Sequence, residues 1–284
     1  MALFRSTFAV KTMSAVLEVS RSGFYDWLRR TESKRAIDDR KLLKEIWQIF
    51  LESGKRYGRP KIYKSLLARG YRIGEERVRK LMKKAEIRPI IRKKFKVRTT
   101  DSNHSLPISE NFLGRNFVVN QPNRAWVSDI TYIRTRSGWL YLCVIIDLFS
   151  RRVVGWSLRP HMKATLVCEA LGMALRLRSV EPGNLIFHSD RGSQYASHKF
   201  RRLLDENKFT SSMSRKGDCY DNAVAESFFG ILKLELVYTM QFENQLDARR
   251  ELFRYIEGFY NRRRIHSHLD YVSPEQFELS RMAA

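Results

Sequence analysis

The stretch that decides the fold is Ala125-Trp126-Val127-Ser128-Asp129-Ile130-Thr131-Tyr132-Ile133. Apolar and β-branched residues mark it as a strand, yet an aspartate interrupts it. A second apolar run, Asn184-Leu185-Ile186-Phe187-His188-Ser189-Asp190, ends in another aspartate just before the turn Arg191-Gly192. A third carboxylate, Glu226, follows Asp190 after 35 intervening residues, in a helical pattern that begins near Asn222. Carboxylates are costly to bury without partners. A single aspartate in a strand reads first as a hydrogen-bonded core or turn residue. Asp147, in Ile145-Ile146-Asp147-Leu148, is read that way, with Arg151 or Arg152 as its partner. Three carboxylates on otherwise apolar elements, in a chain of formal charge +23, point instead to a divalent-cation site that acts on a polyanion.

Outward from that stretch, strands are expected at 125–135, 140–149 and 152–157. Arg136-Ser137-Gly138 and Ser150-Arg151 are turn material, so the three strands form hairpins. A helix at 164–178, a strand at 184–190, a helix at 198–207 and a short strand at 210–214 come next. Two helices, 223–237 and 245–260, close the chain. Three antiparallel strands followed by helices alternating with two more strands predict an α/β fold. Its five-stranded mixed sheet is covered by helices on both faces.

The first third reads differently. Residues 1–100 hold 28 Lys and Arg against 10 Asp and Glu, a net of +18, which leaves only +5 for residues 101–284. The pattern there is helical throughout. A short helix and a second one flank a Ser-rich turn, with Ser22 as the expected N-cap. A longer helix carries Leu42, Leu43, Ile46, Trp47, Phe50 and Leu51 at helical spacing, capped by Asp38 or Asp39. Pro60 starts the next helix, Gly70 closes it, and a third runs over 75–86. On this last helix Val78, Leu81 and Met82 form the apolar stripe, while Arg77, Arg79, Lys80, Lys83 and Lys84 are expected to face outward. A bracing helix, a short turn and a basic helix are what a helix-turn-helix reader of double-stranded DNA requires. Periodicity then lapses. Arg92, Lys93 and Lys94 belong to a basic run expected to track phosphates. The division drawn from this is a basic helix-turn-helix region over 1–98, a linker over 99–120 and a catalytic unit over 121–284.

Several classes are disfavoured. No apolar run reaches the ~18 residues of a membrane span, and no signal-peptide pattern is read. Cys143, Cys168 and Cys219 are odd in number and far apart, so they read as small core residues of a chain working in a reducing, cytoplasmic setting. His266 and His268 lack two further zinc ligands. No phosphate-loop motif is present, and no nucleotide cofactor is implied.

Hard cations such as Mg²⁺ or Mn²⁺ prefer oxygen ligands. Two of them can clamp the attacking and leaving oxygens of a phosphodiester, a task that suits Asp129, Asp190 and Glu226. Lys233 lies two helical turns beyond Glu226 on the same face, where it can hold a DNA phosphate.

Four sets of residues carry a family resemblance. They are Trp126-Val127-Ser128-Asp129-Ile130-Thr131-Tyr132; Asp147-Leu148-Phe149-Ser150-Arg151 with Val154-Gly155-Trp156; His188-Ser189-Asp190-Arg191-Gly192-Ser193-Gln194-Tyr195; and Asp221-Asn222-Ala223-Val224-Ala225-Glu226-Ser227-Phe228-Phe229. They resemble the integrase core of bacterial insertion-sequence transposases, of the type encoded by the second of two frames fused by frameshifting. Tyr57-Gly58-Arg59-Pro60-Lys61-Ile62 resembles that family's helix-turn-helix segment, and Tyr260-Asn261-Arg262-Arg263-Arg264-Ile265-His266-Ser267-His268-Leu269 with Ser273-Pro274 its tail. Asp270 stands where the family usually has Gly.

The resemblance implies a ribonuclease-H-like fold with Asp129, Asp190 and Glu226 as a catalytic triad holding two ions. It also implies Mg²⁺-dependent strand transfer, Lys233 as a DNA contact, and a bacterial, nucleoid-associated location. The expected partners are element ends and target DNA, further copies of the chain on that DNA, and the upstream reading-frame product. The alternative left open is a non-catalytic DNA-bound regulator that needs this upstream partner for activity.

Overall fold

The computed structural model describes residues 1–90, 106–215 and 219–282. The basic run with Arg92, Lys93 and Lys94, and the first part of the expected linker, lie outside the described residues.

The first third is helical: α1 (Val10–Val16), α2 (Arg21–Arg29), α3 (Lys34–Glu52), α4 (Arg59–Ala68) and α5 (Glu75–Lys84). The cap of α2 is Ser20, not Ser22; its side chain accepts from Gly23 N at 2.8 Å. The long helix α3 starts before Asp38 and Asp39, with Ser33 as its cap. A Ser oxygen serves these two N-termini better because each precedes the first turn, where backbone N–H groups lack partners. Asp39 accepts instead from Arg77 at 2.7 Å, tying α3 to α5. Ile46, Ile62, Leu66 and Val78 are fully buried where α3, α4 and α5 meet.

The sheet follows. Strands β1 (Ala125–Thr135), β2 (Gly138–Asp147) and β3 (Val153–Arg159) form an antiparallel meander. Gly138, at φ +127°, lets the chain turn tightly between the first two. Next come α6 (Ala164–Leu177), β4 (Ile186–Ser189), α7 (Ser193–Ala196), α8 (His198–Glu206) and β5 (Thr210–Met213). β4 and β5 are parallel to β1, and the sheet order is β3-β2-β1-β4-β5. That is the mixed, two-faced α/β sheet expected, in ribonuclease-H-like order.

Alternation along β1 and β2 separates two cores. Trp126, Cys143 and Ile145 pack with α6 and α8. Val127, Ile133, Leu142 and Val144 pack with the C-terminal helices, and this core is continuous with the one between α3, α4 and α5. Gly155 in β3 permits the α6 contact: a Cβ there would stand 2.3 Å from Ala170 O and 2.9 Å from Ala174 Cβ.

The closing helices are α9 (Ala223–Leu232), α10 (Gln245–Phe253) and α11 (Pro274–Met282), the last of which periodicity did not reveal. α9 and α10 do not continue as α-helix to 237 and 260. Each passes into a π-helical turn, Lys233–Val237 and Arg254–Tyr260. Widened turns of this kind recur at functional sites. Asp270 adopts a left-handed conformation at φ +52°. The turn therefore keeps the shape a glycine would take, which aspartate tolerates better than most residues.

Candidate active site

Asp129 sits midway along β1, Asp190 directly after β4, and Glu226 in the first turn of α9. Parallel pairing of β1 with β4 ends at Val127 and His188, and the first two carboxylates each lie two residues beyond that pair, level with each other. Asp129 feels the charges of both others. Burial pushes the Asp129 carboxyl well above the usual carboxylate range, and the charges of Asp190 and Glu226 push it further; the Ile130 N–H and Lys233 oppose them. Among the described residues, no three His, Cys, Asp or Glu side chains are gathered tightly enough to form a ready-made metal cage. Like charges so placed repel, and a shared cation or proton relieves them.

Hydrogen bonds aim two of the carboxyls. Ile130 N donates to Asp129 Oδ1 at 2.7 Å, and Gly192 N donates to Asp190 Oδ1 at 3.0 Å. A Cβ on Gly192 would press on Gln194 Oε1 at 2.9 Å and on that same Asp190 oxygen at 3.1 Å, so a side chain there would crowd the carboxyl.

The surrounding motifs prove to be scaffolding for these positions. Tyr195 OH and Ser128 Oγ lie 2.8 Å apart, fastening the segment after Asp190 to β1 next to Asp129. Asn222 Nδ2 donates to Ser128 O at 3.0 Å, which docks the start of α9 on the same strand. Asp221 accepts from Arg215 through backbone and side chain, from Arg115 Nε and from Asn111 Nδ2. The Arg215 hydrogen bonds hold its carboxyl well below the usual range. His188 is buried between Ser212 Oγ at 2.9 Å and Ser214 Oγ at 3.1 Å, and burial pushes it down to about 4. Ser128, Asn222 and Asp221 were legible as motif members, but nothing local in the sequence gave their partners.

Cys143 is buried among Ser128 and Tyr195, where burial raises its thiol to about 12; it is a core residue, as expected. Asp147 is a buried turn residue: its N–H donates to Arg152 O at 2.9 Å and its carbonyl accepts from Arg151 N at 2.8 Å, but its carboxyl is not held by the side chain of either arginine. It accepts from the backbone N–H of Asn123 at 2.9 Å and of Phe149 at 3.0 Å, and burial lifts it to about 6. Arg152 is engaged with Glu278 at 2.8 Å.

Lys233, the first residue of the π-turn, meets the site from its edge. Its ammonium lies 4.7 Å from the Tyr132 ring centroid and within Coulombic range of Asp129. Burial lowers its pKa and the Asp129 charge opposes that shift. Two residues on, Glu235 is buried against Arg264, which donates Nη2 to Oε1 at 2.8 Å and Nε to Oε2 at 3.0 Å. Tyr255 OH donates to Oε2 at 2.8 Å. Arg56 Nε reaches Glu235 O at 3.1 Å, Tyr57 OH donates to Arg263 O at 3.1 Å, and Ile265 N donates to Tyr57 OH at 2.9 Å. The Tyr57-Gly58-Arg59-Pro60-Lys61 and C-terminal tail motifs are thus two halves of one buried contact that braces the helix carrying Glu226 and Lys233.

On α5 the expected outward fan of five cations is reduced. Arg79, Lys80, Lys83 and Lys84 are exposed, but Arg79 pairs with Glu76 at 2.6 Å and Arg77 is half-buried against Asp39. Arg77 projects sideways from the helix because it lies next to the buried Val78 stripe rather than opposite it.

The strand order and the match to a known family define an integrase-type core. The family described as "Integrase core domain" matches residues 119–219, a second family of the same description matches 226–282, and an HTH-like domain matches 36–95. Transposase InsF for insertion sequence IS3A of Escherichia coli K12 is 42% identical over 284 residues, covering 98% of this chain and 97% of that protein. A 31 kDa protein of insertion element IS600 from Shigella sonnei is 40% identical over 93% of this chain and 97% of its own length. The catalytic core domain of BIV integrase is similar at 17% identity and a TM-score of 0.42, covering 57% of this chain and 97% of that one. The chain belongs to the IS3-type family of insertion-sequence transposases. No helix among the described residues is long and apolar enough to cross a membrane.

Proposed function

We propose that the chain is a polynucleotidyl transferase that cleaves the ends of its own element and joins them to target DNA, with Asp129, Asp190 and Glu226 as the catalytic carboxylates. What supports this reading is that Asp129 and Asp190 each lie two residues beyond the last β1–β4 pair, Val127 with His188, and that the charges of Glu226 and Lys233 both act on Asp129.

The donor set fits a hard divalent cation. The nearby thiol of Cys143 and imidazole of His188 are both buried in hydrogen bonds to hydroxyls, which leaves carboxylate oxygens, the donors Mg²⁺ and Mn²⁺ prefer. Asp129, Asp190 and Glu226 would hold up to two such ions, which when bound supply charge neutralisation at the phosphate and activation of the nucleophile. Lys233 orients the phosphate by charge. Asn222 and Tyr195 hold two carboxylate-bearing segments in place. In the first reaction water displaces the 3′-oxygen from phosphorus at the element end and frees a 3′-hydroxyl. In the second that hydroxyl attacks a target phosphodiester, one P–O bond forming as another breaks, with no external energy source.

Double-stranded DNA is the partner this reading requires, gripped by the exposed face of α5 and by several copies of the chain acting together. The division at 98 and 120 is proposed with it. The test is incubation of the purified chain with labelled DNA of the element's ends and Mg²⁺ or Mn²⁺. Nicks and joined products are expected from the natural chain. Asp190→Asn is expected to give neither while still binding DNA, and strand transfer retained in that variant would refute the assignment.

A further inference from the structure

Beside the carboxylates, across Lys233, lies a groove of about 1020 Å³, at the upper end of the ~300–1,000 Å³ typical of ligand sites. Its floor comes from the β1–β2 hairpin. Strand register places Tyr132 opposite Tyr141 and Arg134 opposite Trp139, so all four side chains share one face of the sheet. Tyr132 meets Trp139 edge-on, with centroids 5.2 Å apart at 77°, and the Arg134 guanidinium lies 5.8 Å from the indole. Tyr238 and Lys233 close the opposite wall. Trp139 remains 51% exposed, a poor use of an indole unless something covers it.

The chemistry of this lining is selective. Among the described residues it contains four aromatic side chains and the cations Arg134, Lys233 and Arg136, and no carboxylate. Arg136 is engaged by Glu243. Arg134 and Lys233 therefore flank the aromatic floor, and Lys233 is shared with the candidate active site. Aromatic faces between cations suit a flat ring attached to an anion. Within paired DNA, stacking hides both faces of every base, and even the last pair of a duplex end shows only one. An unpaired nucleotide offers both parts, and its base stacks favourably on an aromatic side chain whatever the sequence.

We propose that this groove captures an unpaired nucleotide of the DNA end, stacking its base on Trp139 and holding its phosphate between Arg134 and Lys233. The inference rests on the transposase reading and deepens it. Opening the duplex next to the scissile phosphate costs unstacking energy, and the groove returns part of it. It is thus a binding site distinct from the carboxylates and contiguous with them.

The test is fluorescence anisotropy of the full chain, without divalent cation, on two DNA probes of the same end sequence. One is fully paired; the other has its last three bases unpaired by mismatch. The natural chain is expected to prefer the unpaired probe by roughly fivefold or more, the equivalent of ~1 kcal/mol. Trp139→Ala should bring the two affinities together while paired-end binding stays unchanged, and Trp139→Phe should retain most of the preference. Trp139 is half-exposed, and circular dichroism with thermal melting verifies that the variants fold. Equal binding of both probes by the natural chain would overturn the proposal, as would an equal loss on both probes in Trp139→Ala. Self-association abolished by Trp139→Ala, with no probe preference, would assign the groove to a second copy of the chain and likewise overturn it. Paired-end binding and cleavage by the natural chain report separately on the transposase reading.

Discussion

Arg264→Met tests whether the buried Glu235–Arg264 pair braces the helix that bears Glu226 and Lys233. Arg264 is 5% exposed, and the Glu235 side chain 12%. The substitution keeps an apolar stem but removes every guanidinium hydrogen bond to the carboxylate. Removing one partner of a buried pair costs ~3–5 kcal/mol, because the other charge is left stranded. Tyr255 OH still donates to Glu235, and Lys61 remains within Coulombic range of it, so the lower end applies. At ~2–4 °C per kcal/mol for a chain of this size, Tm should fall by about 6–12 °C at pH 7.

The sign of the pH dependence is fixed. Burial alone raises the Glu235 pKa, but the Arg264 hydrogen bonds and charge bring it below the ordinary value. The pair therefore contributes stability above the unfolded carboxylate range and loses it as pH falls through the folded value. In Arg264→Met, Glu235 escapes its stranded charge by protonation, so the deficit against the natural chain should shrink between pH 7 and pH 4. Adding Glu235→Leu to Arg264→Met should recover much of the loss, since apolar replacement of a whole buried pair is often neutral. Thermal melts of the three chains at both pH values measure all of this. A single-variant loss below about 2 °C, or a double variant no better than the single, would refute the reasoning.

Lys233→Ala should weaken end binding and strand transfer together, with the log–log salt slope of binding reduced by about one phosphate's share, and Lys233→Arg should retain more of both; salt titrations of DNA binding check it. Asn222→Ala removes the tie to Ser128 O and should cost ~1–3 kcal/mol by loss of a buried hydrogen bond, with a larger fall in DNA cleavage than Tm alone accounts for. Gly155→Ala drives a methyl into the Ala170 carbonyl of α6 and should destabilise by ~1–3 kcal/mol or more, read as a lower Tm, whereas Gly230→Ala, with open space around its Cβ, should not.

The sequence by itself determined the five strands, most of the helices and the candidate chemistry; the short α7 and the closing α11 left no periodic signal. Alternation in 125–135 and helical spacing in α3 are local signals, and the hairpin at Arg136-Ser137-Gly138 is written in turn residues. Asp129, Asp190 and Glu226 stood out because a charge set into an apolar element is costly to bury unless a cation or donor meets it. Boundaries and caps were less legible. Ser20, Ser33 and the passage of α9 into a π-turn at Lys233 depend on where backbone donors are left over, and neighbouring serines or a continuous apolar stripe do not reveal that. Tertiary structure alone decided what each polar side chain is for. The Asp147 carboxyl takes the backbone N–H groups of Asn123 and Phe149 rather than the side chain of Arg151 or Arg152, and Arg77 goes to Asp39 rather than outward. Tyr57 meets a tail some two hundred residues away, Arg56 meets the π-turn at Glu235, and Tyr132, Trp139 and Lys233 line one groove. Hydrophobic periodicity records only which face of an element is buried. Which buried or surface groups meet is set by chain packing over long separations, and a hydrogen bond between distant residues leaves no mark on either local sequence.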